Sequence, residues 1–268
     1  MLNDHSFTPT RVTGCTSVAK TSDVTATFVD GGTVGSVSRV TSRLIQLANG
    51  TRLAFDISGP TNAPVMVLLH ALGEQATSWD GVRARLEARF RVVTLDLRGH
   101  GGSDWPGVYS FELMRDDVVA FLEQLDLTDV ALIGHSMGGV VAFLVAVSLP
   151  GRVARLVLED VVPPFPRTRT TPERPDGELP FDWEAVPAIS RQVNDPDRRY
   201  WPALAKLNMP TLLVGGGPSS PIPQSLLAEA AELLQDGSLV TIDGGHFVHV
   251  ARPEEFTDTV LSWIDRTE

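Results

Sequence analysis

The sequence contains a single cysteine, Cys15, among its 268 residues. One cysteine excludes an intrachain disulfide, so folding needs no oxidising compartment. Long apolar runs are also missing, since no window approaches the ~20 apolar residues that a membrane-spanning helix requires. The first residues, MLNDHSFTPTRV, lack the apolar segment of a secretory signal. We therefore expect a soluble cytoplasmic protein that has no membrane partner.

Basic residues are scarce, with 22 Lys and Arg against 33 Asp and Glu, for a formal net charge of −11. A nucleic-acid partner would require a basic face, so the charge argues against that class of function. The hydrophobic fraction of 43% is sufficient for a sizeable core, and the length suits one large domain. Residues 1–38 are rich in Thr, Ser, Gly and Val without a clear period. We interpret them as a poorly ordered or loosely packed arm that precedes a domain over residues 39–268.

Apolar periodicity within that domain predicts alternating strands and helices. The stretch RLIQLANGTRLAFDI has two alternating apolar runs around Asn49-Gly50, which predicts a β-hairpin. The continuous apolar run Val65–Leu69 predicts a strand buried on both faces. Five further short runs predict strands: Arg91–Leu97, Val130–Gly134, Arg155–Asp160, Thr211–Gly215 and Ser238–Ile242. Helical spacing between and after these runs covers Ser78–Ala88, Phe111–Leu125, Met137–Leu149, Gln224–Leu234 and Glu254–Asp265. This alternation indicates an α/β protein with a mostly parallel sheet.

One long segment, residues 161–205, interrupts the alternation. It is rich in proline and charge and holds two short aromatic helical pieces, PFDWEAVPAIS and DRRYWPALAKL. Large aromatic side chains are costly to leave in water. We therefore predict a lid over the strand ends, and four of its side chains are candidate walls of a substrate pocket: Phe165, Phe181, Trp183 and Trp201.

The sequence GHSMGG places Ser136 at the centre of a G-x-S-x-G motif, directly between a predicted strand and a predicted helix. A sharp strand-to-helix turn strains the serine backbone and leaves room only for glycine on either side. The serine hydroxyl is then exposed at the carboxyl edge of the sheet. In this context the motif predicts a nucleophile.

With this motif the sequence resembles the α/β-hydrolase superfamily, from about Leu44 to Trp263. Four other stretches carry the resemblance: HALG after the first buried strand, DLRGHGGSD, LVLEDVVPP and GGHFVHVARPEEF. The resemblance implies a mostly parallel, twisted sheet wrapped by helices, with a small lid inserted after the sixth strand. It also implies oxyanion donors at the backbone N–H groups of Met137 and Leu72.

An alcohol needs a base within hydrogen-bond reach to become a nucleophile. His246, which follows the last strand and two glycines, is the best candidate among the six histidines. We interpret His249 as a packing residue. No third ligand is apparent beside these two histidines, so we expect no metal. The remaining histidines lie in the arm or in turns where the family uses histidine structurally: His5, His70, His100 and His135.

The acid that orients the histidine is less obvious. The family usually carries it in the loop that here reads VGGGPSSPIPQ, where Ser220 stands at the aspartate position. Some members place the acid one strand earlier instead, and Glu159 and Asp160 lie at the end of that strand. Consecutive strand residues point to opposite faces, so only one of the two can reach His246. The ungapped count from Ser136 favours Asp160 and leaves Glu159 as the alternative.

The expected function is therefore hydrolysis of an ester or lactone of a small to medium, mainly apolar molecule. Perhydrolysis of the haloperoxidase type or C–C bond hydrolysis would use the same residues, and a non-catalytic ligand-binding protein is a further alternative. No G-x-G-x-x-G motif occurs, so we expect no dinucleotide and no other cofactor. The expected partner is a small-molecule substrate. The sequence leaves open whether the protein forms a homo-oligomer.

Overall fold

The computed structural model describes residues 43–168 and 170–267. The predicted N-terminal arm, residues 1–38, lies outside these ranges. Among the described residues, no helix has the length and apolar character needed to cross a membrane.

The described chain forms an eight-stranded sheet in the order β1-β2-β4-β3-β5-β6-β7-β8. Strands β1 and β2 form the antiparallel hairpin predicted around Asn49-Gly50, and β3 to β8 run parallel to one another. The strands are β1 Arg43–Gln46, β2 Arg52–Ser58, β3 Val65–Leu69, β4 Arg91–Leu95, β5 Val130–His135, β6 Val153–Glu159, β7 Thr211–Gly215 and β8 Gly237–Thr241. This architecture confirms the predicted fold class.

Helices cover both faces of the sheet, because the strands bury alternate side chains on opposite sides. In β3, Met66 and Leu68 join one hydrophobic cluster, whereas Val67 and Leu69 join the other. The helices are α1 Asp80–Leu86, α2 Phe111–Gln124, α3 Met137–Ser148, α4 Ala185–Asn194, α5 Tyr200–Ala203, α6 Gln224–Leu233, α7 Val248–Ala251 and α8 Pro253–Arg266.

Several element boundaries differ from the sequence-based expectation by a few residues, including the end of β4 and the start of α1. Strand β4 ends at Leu95 rather than Leu97, because the Asp96 carboxylate accepts hydrogen bonds from the N–H groups of Ala76 and Gly102 and begins a turn. The helix predicted over Ser78–Ala88 is a 3₁₀ turn at Ala76–Trp79 followed by α1.

The insertion between β6 and β7 contains α4 and α5 and is tied to the turn after β4. The N–H of Gly101 donates to the Pro180 carbonyl at 2.8 Å, and the N–H of Asp182 donates to the Gly99 carbonyl at 2.7 Å. The Tyr109 hydroxyl donates to the Asp182 carboxylate at 2.6 Å. These contacts fix the insertion against the carboxyl ends of the strands.

Candidate active site

Ser136 occupies the turn between β5 and α3 with φ 51° and ψ −114°, a conformation that L-residues rarely adopt. The close approach of chain segments explains the flanking glycines. A Cβ on Gly134 would lie 2.3 Å from the Gly138 carbonyl oxygen, and one on Gly138 would lie 2.4 Å from the Leu69 carbonyl oxygen. The structure thus places Ser136 in the strained turn that the motif predicts.

His246 lies in the loop after β8 and contacts both partners expected of a base. Its Nε2 atom is 3.0 Å from the Ser136 hydroxyl, and its Nδ1 atom is 2.7 Å from Oδ2 of Asp160. In this arrangement the hydroxyl donates to Nε2 and the Nδ1–H donates to the carboxylate. The three side chains form one continuous hydrogen-bonded chain, which is the geometry that activates a serine.

Asp160 is fully buried at the end of β6 and adopts φ 45°. Besides His246, its carboxylate accepts the N–H of Gly216 at 2.8 Å and the Ser220 hydroxyl at 2.6 and 2.8 Å. The serine at the family's usual acid position therefore donates to the carboxylate at the alternative position. The sequence did not reveal this supporting role of Ser220.

Glu159 forms a second buried pair on the opposite side of the strand, as alternation along a strand requires. Its oxygens lie 2.8 Å from Nδ1 of His249, and one also accepts the His249 backbone N–H at 2.8 Å. The His249 ring stacks on Trp79 with the ring centroids 4.1 Å apart. Burial favours the neutral carboxyl, but His135, His249 and these hydrogen bonds together hold the pKa of Glu159 below its usual value. Glu159 therefore hydrogen-bonds to His249 and does not reach His246.

His135 connects this second pair with the loop of His246. Its Nε2–H donates to the His246 carbonyl at 2.7 Å, and burial lowers the pKa of its imidazole to about 4. His135, Glu159 and His249 offer possible metal-ligand atoms within 4.8 Å of one another. The expectation that no third ligand lies near His249 is thus wrong. In this structure the Glu159 carboxylate hydrogen-bonds directly to the His249 ring.

The remaining two buried histidines support the turns around the site. His70 Nε2 accepts the N–H of Leu97 at 2.9 Å, and His100 Nε2 accepts the N–H of Gly73 at 3.2 Å. Burial is the largest cause that lowers the pKa of both imidazoles, which favours the neutral form that can accept these bonds.

The two predicted oxyanion donors lie beside Ser136. Leu72 and Met137 line the same cavity as the serine. Met137 is the first residue of α3, so its N–H has no acceptor within the helix and remains available to an oxyanion.

The cavity beside Ser136 measures about 50 Å³. Pockets for drug-sized ligands reach about 300–1,000 Å³, so this cavity suits a short group. Its walls are mostly aliphatic, from α3, the insertion and the loop after β7: Val140, Val161, Val162, Ile189, Val193 and Ile222.

The four aromatic residues of the insertion that are candidate pocket walls do not lie in one place. Phe165 lines the cavity beside Ser136, as expected. Phe181 and Trp183 instead line a separate open depression with Trp105. Trp201 packs against the larger hydrophobic cluster and lines neither cavity. The structure therefore does not bring these three to the cavity beside Ser136, because the need to bury a large ring does not say which surface buries it.

A family model described as the alpha/beta hydrolase fold matches residues 64–195. The chain belongs to the α/β-hydrolase superfamily. It is 27% identical to the magnesium-chelatase 30 kDa subunit of Rhodobacter capsulatus, over 78% of this chain and 89% of that protein. It is also 27% identical to sn-1-specific diacylglycerol lipase ABHD11 of Mus musculus, over 78% of this chain and 83% of that one.

Among solved structures, an esterase from Thermogutta terrifontis is similar with a TM-score of 0.71 and 25% identity, over 85% of this chain and 99% of that chain. Since superfamily relatives with a named activity include lipases and esterases, the comparisons support a general hydrolase function.

Proposed function

We propose that this α/β hydrolase cleaves an ester or lactone of a small, mainly apolar substrate through an acyl-enzyme. The observation that carries the proposal is the continuous hydrogen-bonded chain from Ser136 through His246 to Asp160. A buried carboxylate on Nδ1 leaves Nε2 free to accept a proton from the serine.

The reaction follows from this geometry. The Ser136 hydroxyl attacks the substrate carbonyl while His246 takes its proton, and Asp160 stabilises the imidazolium that forms. The N–H groups of Met137 and Leu72 bind the oxyanion. His246 then protonates the leaving alcohol, and a water molecule, deprotonated by the same imidazole, releases the acid product.

The size of the cavity supports a small acyl group, and its aliphatic walls favour an apolar one. Perhydrolysis and C–C bond hydrolysis share these side chains, so products distinguish the three reactions. Analysis of products with and without peroxide separates perhydrolysis from hydrolysis.

The test of the proposal combines labelling with turnover. A fluorophosphonate should label the wild-type protein rapidly and the Ser136→Ala variant not at all. A panel of short-chain esters and lactones should be hydrolysed by the wild type, with turnover at least about 10³-fold lower in Ser136→Ala. More than about a tenth of wild-type turnover in that variant would rule out the acyl-enzyme.

A further inference from the structure

Leu72 lies between two buried histidines, and each of them hydrogen-bonds to one of the two peptide groups of this residue. The Nδ1 atom of His70 lies 2.7 Å from the carbonyl oxygen of Ala71, which belongs to the peptide group that carries the Leu72 N–H. The Nε2 atom of His100 lies 3.2 Å from the backbone nitrogen of Gly73, which belongs to the next peptide group. Both imidazoles are fully buried, and their ring centroids are 4.9 Å apart. The segment that carries a proposed oxyanion donor is therefore held on both sides.

Backbone partners determine the tautomer of each histidine. Burial lowers the pKa of both imidazoles, so each neutral ring carries one proton. A backbone N–H donates, so the ring nitrogen that faces it must be the acceptor. The N–H of Leu97 donates to Nε2 of His70 at 2.9 Å, and the ring proton therefore lies on Nδ1 and is donated to the Ala71 carbonyl. In the same way, Nε2 of His100 accepts a backbone N–H, and its Nδ1–H donates to the Arg98 carbonyl at 3.0 Å.

The hydrogen bond to the Ala71 carbonyl has a consequence for the N–H on the other side of the same peptide group. A peptide group is planar and trans, so its C=O and N–H point in opposite directions. The bond from His70 therefore fixes the direction of the Leu72 N–H, and Leu72 lines the cavity beside Ser136. The N–H of Glu74 donates to the same carbonyl at 3.1 Å. Donors at the carbonyl also polarise the peptide group, which makes its N–H a stronger donor.

We propose that His70 and His100 are positioning residues for the reaction, which hold the Leu72 N–H in the direction of the oxyanion. This inference rests on the proposed function. An oxyanion donor acts on the transition state more than on the bound ester. Loss of its orientation should therefore lower kcat and leave KM nearly unchanged, whereas loss of a merely structural histidine would lower stability.

The test uses asparagine and glutamine, which separate the two hydrogen bonds of each histidine. The amide atoms of asparagine are two bonds from Cβ, as Nδ1 is, and those of glutamine are three bonds away, as Nε2 is. His70→Asn therefore keeps a donor for the Ala71 carbonyl, and His70→Gln does not. For His100 the order is reversed, because His100→Gln keeps an acceptor for the Gly73 N–H and His100→Asn does not.

Three measurements are made on the wild type and the four variants. Hydrolysis of a short-chain ester gives kcat and KM. Inhibition by ethyl trifluoromethyl ketone, whose adduct with Ser136 carries an oxyanion, reports binding of that charge. Urea unfolding reports stability.

We expect kcat of His70→Asn to exceed that of His70→Gln by about 10-fold or more, since loss of a whole oxyanion donor costs about 10²–10³-fold. His100→Gln should exceed His100→Asn by about 3-fold or more, a smaller ratio because His100 binds the neighbouring peptide group. The inhibition constant of the ketone should rise as kcat falls, with KM changed less than about 3-fold. The unfolding midpoints of the two amides at one position should agree within about 0.5 M urea, because each variant loses one hydrogen bond.

Several results would overturn the inference. Equal kcat for the two amides at a position removes that histidine from the role, and so does a loss of kcat that follows the unfolding midpoint or leaves ketone inhibition unchanged. Each position is a separate test, so if the variants at one position do not fold, the other pair decides. If neither pair folds, the histidines are required by the fold and the inference is rejected, while the serine hydrolase proposal stands. If the wild type hydrolyses no ester and a fluorophosphonate fails to label Ser136, the proposed function is wrong and this inference fails with it.

Discussion

Replacing Asp160 by asparagine tests whether the acid lies at the end of β6, because the local hydrogen bonds determine how the amide must orient. Oδ1 of Asp160 accepts a hydrogen bond from the backbone N–H of Gly216 at 2.8 Å. A backbone N–H can only donate, and the chain fixes its direction. The amide oxygen of the variant must therefore occupy the Oδ1 site. Its NH₂ group then lies at the Oδ2 site, 2.7 Å from Nδ1 of His246.

An NH₂ group in that place donates to Nδ1 and shifts the imidazole proton to Nε2. The Nε2 atom can then no longer accept the proton of Ser136, and the charge that stabilises the imidazolium is lost as well. We expect kcat to fall by about 10²–10⁴, equivalent to about 3–5 kcal/mol of transition-state stabilisation, with little change in KM.

Steady-state hydrolysis of a short-chain ester measures the loss, and ¹⁵N NMR of the histidine side chains reports the tautomer of His246. The matched control is Glu159→Gln, one residue earlier, which faces His249 and should lower kcat less than about 10-fold. Adding Ser220→Asp to Asp160→Asn should restore part of the activity, since the Ser220 hydroxyl already lies 2.6 Å from Oδ2 of Asp160. If Asp160→Asn keeps its full kcat and the Nδ1–H tautomer, the assignment of the acid is wrong.

Two further predictions concern stability. Arg98 and Asp117 form a buried pair with two bonds of 2.7 Å, so Arg98→Ala should lower the free energy of unfolding in urea by about 3–5 kcal/mol. Arg85→Ala, which breaks an exposed pair with Asp258, should lower it by less than about 1 kcal/mol, and equal losses would contradict this reasoning. Burial lowers the pKa of His135 from 6.5 to about 4, so the unfolded chain binds this proton first as the pH falls. Between pH 7 and pH 5 His135 should therefore cost about 2 kcal/mol of stability. Because the buried His70 and His100 act in the same direction, urea unfolding of His135→Gln should show a loss over this pH range that is smaller than the wild-type loss by about that amount, and an equal loss would contradict the reasoning.

Features encoded by local pattern were predictable from the sequence. The Asn49-Gly50 hairpin and the continuous apolar strands follow from turn chemistry and side-chain period, which need no distant partner. Ser136 was recognisable because its strand, turn and helix are consecutive. Asp160 could be reached only by elimination and by counting along a family pattern.

Features that depend on contacts between distant segments were not predictable. The pairing of Glu159 with His249 joins residues 90 positions apart, and no sequence pattern near either residue indicates it. Arg167 looked like one more charge in a proline-rich loop, whereas the fold places it beside the nucleophile. The size of Trp183 predicts that it packs against another surface, but only the fold shows that this surface lies away from the cavity beside Ser136.

The positions of Asp160 and Ser220 constrain each other, which explains why the usual loop lacks an acid here. The Ser220 hydroxyl lies 2.6 Å from the Asp160 carboxylate, so an aspartate at 220 would put two carboxylates in contact. Like charges so close cannot both ionise, and one would bind a proton. A carboxylate at the end of β6 therefore favours a donor in the loop, and serine provides it. On this argument Ser220→Asp in the otherwise unchanged chain should lower kcat, although it adds the residue that most of the family carries, and an unchanged kcat would show that the two positions are independent.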